Sequence, residues 1–311
     1  MSNYKISLVV AIYGVEKYIR QFADSALGQT YDNIQYVFVN DGTKDASMDI
    51  LETLIQEKYE HRRNDIVVVN KVNEGLPLAR KTGIEHATGE YVLLVDSDDW
   101  LEHDAVAKVM AEADRTGADF IYFDFIKEYN NRRPVKHEKL YTAHTKGLYI
   151  ANLFNLRSYA YTWSKCFRRR LYTDNIIVTP RYGMHEDICL MSQIIFYAKS
   201  FAYLRETLYH YRLNNPNSLS VQNIHVRHLA SIRNMLDLCA YYRDRLEGSP
   251  VEKVAGGVFI RAGWYAIVHK YNLWNEYPWL GEEIRKAPMS TLYRSSLLTQ
   301  LVVKAYTYIW H

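Results

Sequence analysis

The sequence lacks several features that define common protein classes. Its 311 residues include only three cysteines, Cys166, Cys189 and Cys239, which are far apart and form no CxxC pair. This pattern fits neither a disulfide framework nor a zinc site, and it predicts buried, reduced thiols in a cytosolic protein. No apolar run approaches the ~18 residues that a membrane-spanning helix needs. The net charge of +3 is too close to neutral for a dedicated nucleic-acid-binding protein.

Two glycine-rich phosphate-binding signatures are also missing. The sequence has no GxxxxGK[ST] P-loop, and no GxGxxG follows a predicted strand. The first absence excludes a P-loop protein, and the second weakens a dehydrogenase interpretation. The first apolar stretch, Ile6 to Ile12, runs into charged residues without a small-residue cleavage site. We therefore interpret that stretch as a strand and not as a signal peptide.

The composition and the hydrophobic pattern predict an α/β domain. Apolar residues make up 48% of the chain, which is enough for a sizeable core. Five β-branched or aromatic runs predict strands over 6–12, 36–39, 66–69, 91–95 and 120–125, and segments with apolar residues at helical spacing separate them. Strands alternating with helices indicate βαβ units and a mostly parallel sheet. In such a sheet the ligand crevice lies outside the carboxyl ends of the strands.

Acidic residues follow the fourth predicted strand. Because residues i and i+2 of an extended segment point the same way, Asp96 and Asp98 can converge at the end of this strand. Mg²⁺ or Mn²⁺ bridging to phosphate oxygens is the usual way to hold two such carboxylates together. The alternative is a polar turn in which Ser97 or Asp99 caps the next helix. The position after a buried parallel strand favours the metal site.

Two further polar segments lie at predicted strand ends or helix starts. Asp41 ends the second strand, where it can accept a hydrogen bond from a base or a ribose hydroxyl, or simply form an Asp-Gly turn. The turn at Gly75 leads into a helix over 76–87 that carries Arg80 and Lys81. Such basic residues can reach a phosphate at the helix start, or they can form a solvated face.

The second half of the chain contains two more candidate groups. Glu186 and Asp187 begin a helix with an apolar stripe, where they can act as cap residues or provide a general base for an acceptor hydroxyl. His210 and Arg212 precede a polar loop over 214–220. Arg212 can hold a diphosphate and His210 can complete a metal shell, whereas the simpler interpretation is a strand followed by a loop.

In this order, these segments resemble family 2 glycosyltransferases with the GT-A fold, a Rossmann-like, mostly parallel sheet flanked by helices. The resemblance covers roughly residues 4–220. It rests on the opening strand with Tyr13 and on the following stretches: Val39-Asn40-Asp41-Gly42-Thr43, Asn73-Glu74-Gly75, Ala79-Arg80, Gly83, Ala87-Thr88-Gly89-Glu90-Tyr91, Asp96-Ser97-Asp98-Asp99, Trp163-Ser164-Lys165, Glu186-Asp187 and Tyr209-His210-Tyr211-Arg212.

The resemblance implies a site for a nucleotide-sugar, usually a UDP-sugar. Ala11 and Tyr13 would flank the base and Asp41 would contact it. Asp96 and Asp98 would form the family's DxD motif, which meets the ribose and a Mn²⁺ or Mg²⁺ ion. The remaining residues assigned to this donor site are Ser97 and Glu186.

The resemblance also implies an inverting reaction. Asp187 matches the catalytic base of the family, and Trp163 would line the sugar and acceptor pocket. Arg80 and Arg212 are the expected diphosphate contacts. A metal at Asp98, together with an arginine, would stabilise the charge on the leaving diphosphate. Asp187 would deprotonate an acceptor hydroxyl on the opposite face of the sugar.

The region after about residue 225 lies outside the resemblance. We predict a catalytic domain over 1–222 and a helical extension over 223–311. Residues 293–310 mix basic residues with an apolar stripe and aromatics. This segment can pack on the catalytic domain or on a second subunit, or it can lie in a membrane interface. Membrane contact would suit a polyprenyl-diphosphate-linked glycan acceptor, with the protein cytoplasmic or peripheral at the inner face of the plasma membrane.

Two other functions remain open at this stage. A nucleotidyltransferase also needs a metal and a nucleotide, but it should have a basic, glycine-rich loop after the first strand, where this chain has Tyr13-Gly14-Val15-Glu16. A non-catalytic nucleotide-sugar-binding protein would not need both Asp187 and the Asp96/Asp98 pair. These two points favour a glycosyltransferase, and the resemblance implies one of surface-polysaccharide synthesis, such as capsule synthesis, that moves a hexose or N-acetylhexosamine.

Overall fold

The computed structural model describes residues 4–128, 133–135, 141–155, 157–213, 215, 224–242, 245, 250–289 and 295–310. Its strands are β1 (Ile6–Ile12), β2 (Ile34–Asn40), β3 (Ile66–Asn70), β4 (Tyr91–Asp96), β5 (Trp100–Leu101), β6 (Phe120–Glu128), β7 (Arg133–Val135), β8 (Lys165–Arg168) and β9 (Phe201–Arg212). Its helices are α1 (Ile19–Leu27), α2 (Ser47–Lys58), α3 (Leu76–His86), α4 (Ala105–Thr116), α5 (Lys146–Phe154), α6 (Arg170–Thr173), α7 (Glu186–Tyr197), α8 (Ile224–Tyr242), α9 (Pro250–Val268), α10 (Leu273–Glu276), α11 (Leu280–Lys286) and α12 (Leu297–Trp310).

The described strands form one sheet in the order β3-β2-β1-β4-β8-β6-β9-β5, with β7 beside β6. The first four strands in this order are parallel, as predicted from the βαβ pattern. The five predicted strands are all present, with ends that differ by up to three residues. β8 was not predicted; it lies antiparallel between β4 and β6 in the middle of the sheet. Its four residues are too few to give a periodic signal.

Close packing of α3 on the sheet depends on Gly83. A Cβ atom at this position would lie 2.3 Å from Cγ1 of Val9, so only glycine fits without a shift of the helix or strand. Arg80 lies one turn earlier on the same helix. The close approach at Gly83 therefore sets how near Arg80 lies to the carboxyl ends of β1 and β4.

The sheet separates two hydrophobic clusters. One contains Leu8 and Val10 of β1 together with apolar residues of α1, α2 and α4. The other contains Val9 of β1 together with apolar residues of α5, α7, α8, α9, α11 and α12. The C-terminal helices thus continue the core on one face of the sheet. The predicted domain boundary at 222/223 lies outside the described residues, and the division into two domains stays a prediction.

Two expectations drawn from what the sequence lacks can be compared with the structure. Cys166, Cys189 and Cys239 are buried and none forms a disulfide, as predicted. Across the described ranges, no helix combines the length and the hydropathy that a membrane crossing requires.

Candidate active site

The acidic turn after β4 lies beside the carboxyl end of β1. Asp96 is the register partner of Ala11 in the parallel pairing of these strands. Ser97 is buried and donates a hydrogen bond of 2.8 Å from Oγ to the carbonyl oxygen of Ala11. This bond ties the turn to the end of β1 and leaves the Asp96 side chain partly exposed at the edge of the sheet. Tyr13 lies just beyond the end of β1 and is 54% exposed.

Asp98 and Asp99 receive hydrogen bonds from the end of β9 and the residues after it. Asn215 donates to Oδ2 of Asp98 at 2.7 Å, and the Arg212 backbone N–H donates to Oδ1 of Asp99 at 2.7 Å. The Tyr209 hydroxyl donates to Oδ2 of Asp99 at 2.8 Å. Burial, with a contribution from the neighbouring carboxylates, raises the pKa of Asp98 and raises that of Asp99 well above its ordinary value.

The Arg212 side chain closes over this turn. Its Nε donates to the backbone carbonyl of Asp98 at 2.8 Å, and its guanidinium lies between the rings of Tyr18 and Trp100, at 4.9 and 4.8 Å from their centroids. A guanidinium stacked on aromatic rings keeps its charge while its position is fixed. Arg212 is therefore held beside Asp98, where the sequence predicts a diphosphate contact.

Arg80 joins the acidic turn to the N-terminus of α7. One guanidinium nitrogen contacts Oδ1 of Asp96 at 2.5 Å and the other contacts Oε1 of Glu186. Arg80 and Glu186 are both buried. Burial, opposed by Arg80, raises the pKa of Glu186 to about 7. Both terminal guanidinium nitrogens of Arg80 thus contact carboxylates. A diphosphate contact at this residue stays a prediction.

Asp187 is the second residue of α7 and lies near an aromatic column formed by Tyr161, Trp163 and Tyr209. Its side chain is half-buried, and Oδ1 accepts a 2.8 Å hydrogen bond from the backbone N–H of Ile188. Its negative charge adds to burial in raising the pKa of Tyr161 to about 12. In that column Trp163 stacks between Tyr161 and Tyr209, at centroid distances of 4.7 and 4.3 Å. Trp163 is only 3% exposed, and its predicted place in the lining of a sugar and acceptor pocket stays a prediction.

A buried lysine lies under this column. Lys165 has no exposed surface, and its Nζ donates to the Tyr161 carbonyl at 2.8 Å and to Ser164 Oγ at 3.0 Å. Burial lowers the pKa of Lys165 to about 7, and the charge of Asp187 opposes this shift. Sequence reasoning did not identify Lys165 as a candidate. Its signals in the sequence were its place in the stretch Trp163-Ser164-Lys165 and its position before the apolar pair Cys166-Phe167.

Asp41 connects β2 to the loop before α3. Its carboxylate accepts hydrogen bonds from the backbone N–H groups of Glu74 and Gly75, at 3.0 and 2.9 Å. Asp41 is 2% exposed, and its own N–H donates to the Ile12 carbonyl at 3.1 Å. In this structure Asp41 therefore joins the loop before α3 to the end of β1 at the edge of the sheet. Its predicted contact with a base stays a prediction.

His210 lies between two glutamates near the acidic turn. Its Nε2 is 2.8 Å from Oε1 of Glu102 and its Nδ1 is 2.8 Å from Oε1 of Glu128. The ring stacks on Trp100 at 4.8 Å. Both ring nitrogens thus contact carboxylates, and binding a metal would require one of these contacts to break. His210 as a metal ligand stays a prediction.

The acidic turn fits a divalent cation that is shared with a phosphate ligand. Asp96 and Asp98 are hard oxygen donors. Burial and the neighbouring Asp96 carboxylate disfavour the charged form of Asp98 and so raise its pKa, and a bound cation would stabilise that charged form. Within the part of the chain that the structure describes, no three His, Cys, Asp or Glu side chains form a metal cage. Mg²⁺ is commonly held by one or two carboxylates plus substrate phosphates, so this donor set fits.

Comparison with known proteins assigns the family. The sequence model described as "Glycosyl transferase family 2" matches residues 7–189, more than half of the chain. The chain belongs to this family. The family assignment favours glycosyl transfer over the nucleotidyltransferase and non-catalytic alternatives. EpsH of Bacillus subtilis (strain 168) is 34% identical over 221 residues, which cover 69% of this chain and 62% of EpsH. The match thus spans less than two thirds of that relative.

Solved structures share the GT-A fold of this family 2 chain. TarS 1-349 of S. aureus in complex with UDP-GlcNAc is 18% identical, with a TM-score of 0.67 over 98% of this chain and 89% of that one. The mannosyltransferase PcManGT of Pyrobaculum calidifontis, in complex with GDP-Man and Mn²⁺, is 15% identical, with a TM-score of 0.53 over 99% and 88% of the two chains. At these identities the likeness establishes the α/β architecture, and it extends to the C-terminal helices.

Proposed function

We propose that this protein transfers a hexose or N-acetylhexosamine from a UDP-sugar to a hydroxyl of a glycan acceptor. The observation that carries the proposal is the buried contact of Arg80 with both Asp96 and Glu186. It joins the acidic turn to the first residue of the helix that carries Asp187. The turn predicted to bind the donor and the helix that carries the predicted base are thus linked through one arginine. The UDP-GlcNAc complex of the similar TarS structure supports a UDP-sugar as the donor.

Donor binding is assigned to the edge formed by β1, β2 and β4. Ala11 and the exposed Tyr13 ring would flank the base, and Asp96 would face the ribose. Arg212, held rigidly beside Asp98, would contact the diphosphate. Asp98, with Asp96, would hold a Mn²⁺ or Mg²⁺ ion. When bound, this ion neutralises the negative charge that develops on the leaving diphosphate.

Asp187 is assigned as the general base. Its half-buried carboxylate would accept the proton of the acceptor hydroxyl while the hydroxyl oxygen bonds to the anomeric carbon. The bond from that carbon to the diphosphate breaks on the opposite face and its electrons leave with the UDP, so the stereochemistry inverts. A general base of this kind contributes about 10²–10⁴-fold to the rate.

A thermal-shift panel tests donor binding. The panel contains UDP, GDP and several UDP-sugars, each with and without Mn²⁺. A ligand at 100 times its Kd stabilises the folded state by about 2.7 kcal/mol, which raises the Tm by several degrees. We expect UDP or a UDP-sugar to raise the Tm more with Mn²⁺, and Asp98→Asn to remove the Mn²⁺-dependent part. A panel in which no nucleotide shifts the Tm would refute the proposal.

We assign the acceptor to the membrane surface because α12 exposes an apolar face. This helix buries its polar Gln300 and Thr307 against the protein and exposes Leu297, Leu298, Leu301, Val302 and Tyr308. Residues 284–311 contain four Lys or Arg and no Asp or Glu. An exposed apolar face with basic neighbours suits the interface of an anionic membrane. A polyprenyl-diphosphate-linked glycan would be presented there, at the inner face of the plasma membrane, for surface-polysaccharide synthesis.

Flotation with vesicles tests the membrane assignment. The full chain is compared with a Leu298→Glu/Leu301→Glu variant, whose changes lie at exposed positions. We expect the parent to float with phosphatidylglycerol vesicles and the variant to remain at the bottom. Equal and negligible flotation would remove the assignment. A dimer in sedimentation that the double variant abolishes would instead identify the α12 face as an interface between two copies.

A further inference from the structure

The segment that leads to Asp187 has little structure of its own. Between α6 and α7, residues 174–185 form neither helix nor strand. The segment ends at His185, which has φ 59° and ψ 24° and precedes the first residue of α7. This left-handed conformation is disfavoured for residues with a side chain, so it persists only where the surroundings hold it. The position of Asp187, two residues later, therefore depends on what the segment packs against.

Helix α8 supplies that support through Asn234. The Asn234 side chain is 1% exposed, and its Nδ2 donates to the carbonyl oxygens of Tyr182 and Met184 at 2.7 and 2.8 Å. Its Oδ1 accepts from the Tyr182 N–H at 3.3 Å. The amide thus uses both of its donor hydrogens and its oxygen on the backbone of this one segment.

Two neighbouring contacts extend the support along the chain. Ser231, one turn before Asn234 on α8, lies 2.6 Å from Nδ1 of His185 through its Oγ. The Asn234 backbone carbonyl accepts from the thiol of Cys189, in the first turn of α7, at 3.5 Å. The contacts from α8 therefore reach both sides of the Glu186-Asp187 pair.

We propose that Asn234, with help from Ser231, is a positioning residue that fixes the Asp187 carboxylate for proton transfer. The proposal rests on the assignment of Asp187 as the base. It gives the C-terminal helices, which lie beyond the matched family region of residues 7–189, a part in positioning the proposed base. Among the described residues Asn234 forms no hydrogen bond with the acidic turn after β4, so its loss should reduce turnover and leave nucleotide binding unchanged.

The test compares Asn234→Ala with Met235→Ala. Met235 is the next residue on α8 and is also buried, but it packs in the hydrophobic core, so its loss controls for a general loss of stability. Three measurements are made on the full chain: the Kd of UDP by calorimetry, the release of UDP from a UDP-sugar with Mn²⁺, and hydrogen exchange of the amides in residues 181–187.

We expect Asn234→Ala to release UDP about 10–100-fold more slowly, because displacement of a catalytic group by about 1 Å can cost about 100-fold. The Kd of UDP should stay within about twofold, and the amides of 181–187 should exchange faster. Met235→Ala should keep turnover within about threefold despite a lower Tm. Unchanged turnover in Asn234→Ala, or equal turnover losses in the two variants, would overturn the proposal.

Ser231→Ala keeps the proposal testable if Asn234→Ala does not fold. This variant removes one hydrogen bond at a half-buried position, and we expect a turnover loss of about 3–10-fold with faster exchange at 181–187. Unchanged turnover and exchange in this variant would overturn the proposal. If the proposed function itself is wrong, the parent protein should neither bind UDP nor release it from a UDP-sugar. This result is distinct from a variant that loses turnover while the parent is active.

Discussion

Replacing Lys165 with methionine should change how the stability of the protein depends on pH. Methionine has a similar length and carries no charge, so it fills the site without the ionisable group. Lys165 is fully buried, and burial lowers its pKa from the ordinary value of 10.5 to about 7. The folded protein therefore binds this proton much more weakly than the unfolded chain does.

The sign and size of the effect follow from this difference. Between pH 7 and pH 10.5 the unfolded chain holds a proton on Lys165 that the folded protein has lost, so the free energy of unfolding rises with pH. The slope approaches about 1.4 kcal/mol per pH unit. Between pH 7.5 and pH 9.5 the group should add about 2.5 kcal/mol to the stability. Well below pH 7 both states hold the proton and the contribution no longer changes.

Urea unfolding of the parent and of Lys165→Met at the two pH values gives the measurement. Other titrating groups are common to both proteins, so the difference between their free energies of unfolding isolates Lys165. From pH 7.5 to pH 9.5 we expect the free energy of unfolding of the parent to rise by about 2.5 kcal/mol relative to that of Lys165→Met. Lys81→Met, at a partly exposed site on α3, controls for the loss of a lysine. A difference that stays constant within about 0.5 kcal/mol would refute the reasoning.

Two further predictions concern α3. Arg80→Met would leave the Asp96 and Glu186 carboxylates without their shared cation, at a cost of about 3–5 kcal/mol in urea unfolding. Arg63→Met, which removes an arginine from a partly exposed ion pair, should cost less than about 1 kcal/mol, and equal losses would contradict the role of burial. Gly83→Ala should cost about 1–3 kcal/mol, because its Cβ would overlap the β1 strand, and a neutral effect on Tm would show that the helix can shift freely.

The elements that could be predicted from the sequence are those with a local signal. β1 and β4 are buried on both faces and read as continuous apolar runs, and the acidic residues at their ends could be placed by the rule for parallel sheets. β8 could not be predicted, since it is short and is stabilised by pairing with β4 and β6 on either side. Its direction depends on contacts that are distant in the sequence.

The partners of individual site residues were harder to predict than their positions. Asp99 could be predicted only as a helix cap, because its hydrogen bonds to Tyr209 and Arg212 join residues more than 100 positions apart. The Glu102 and Glu128 partners of His210 are also distant, by 108 and 82 positions. Such ion pairs and hydrogen bonds depend on the sheet order, which no local pattern specifies.

The central claim is that Asp187 acts as the base in sugar transfer from a UDP-sugar. It is tested most directly by Asp187→Asn, which keeps the shape of the side chain and removes its ability to accept a proton. UDP release from a UDP-sugar with Mn²⁺, with water as the acceptor, and the Kd of UDP are measured for both proteins. We predict that the variant binds UDP like the parent and releases it about 10²–10⁴-fold more slowly. Release at the parental rate would contradict the account.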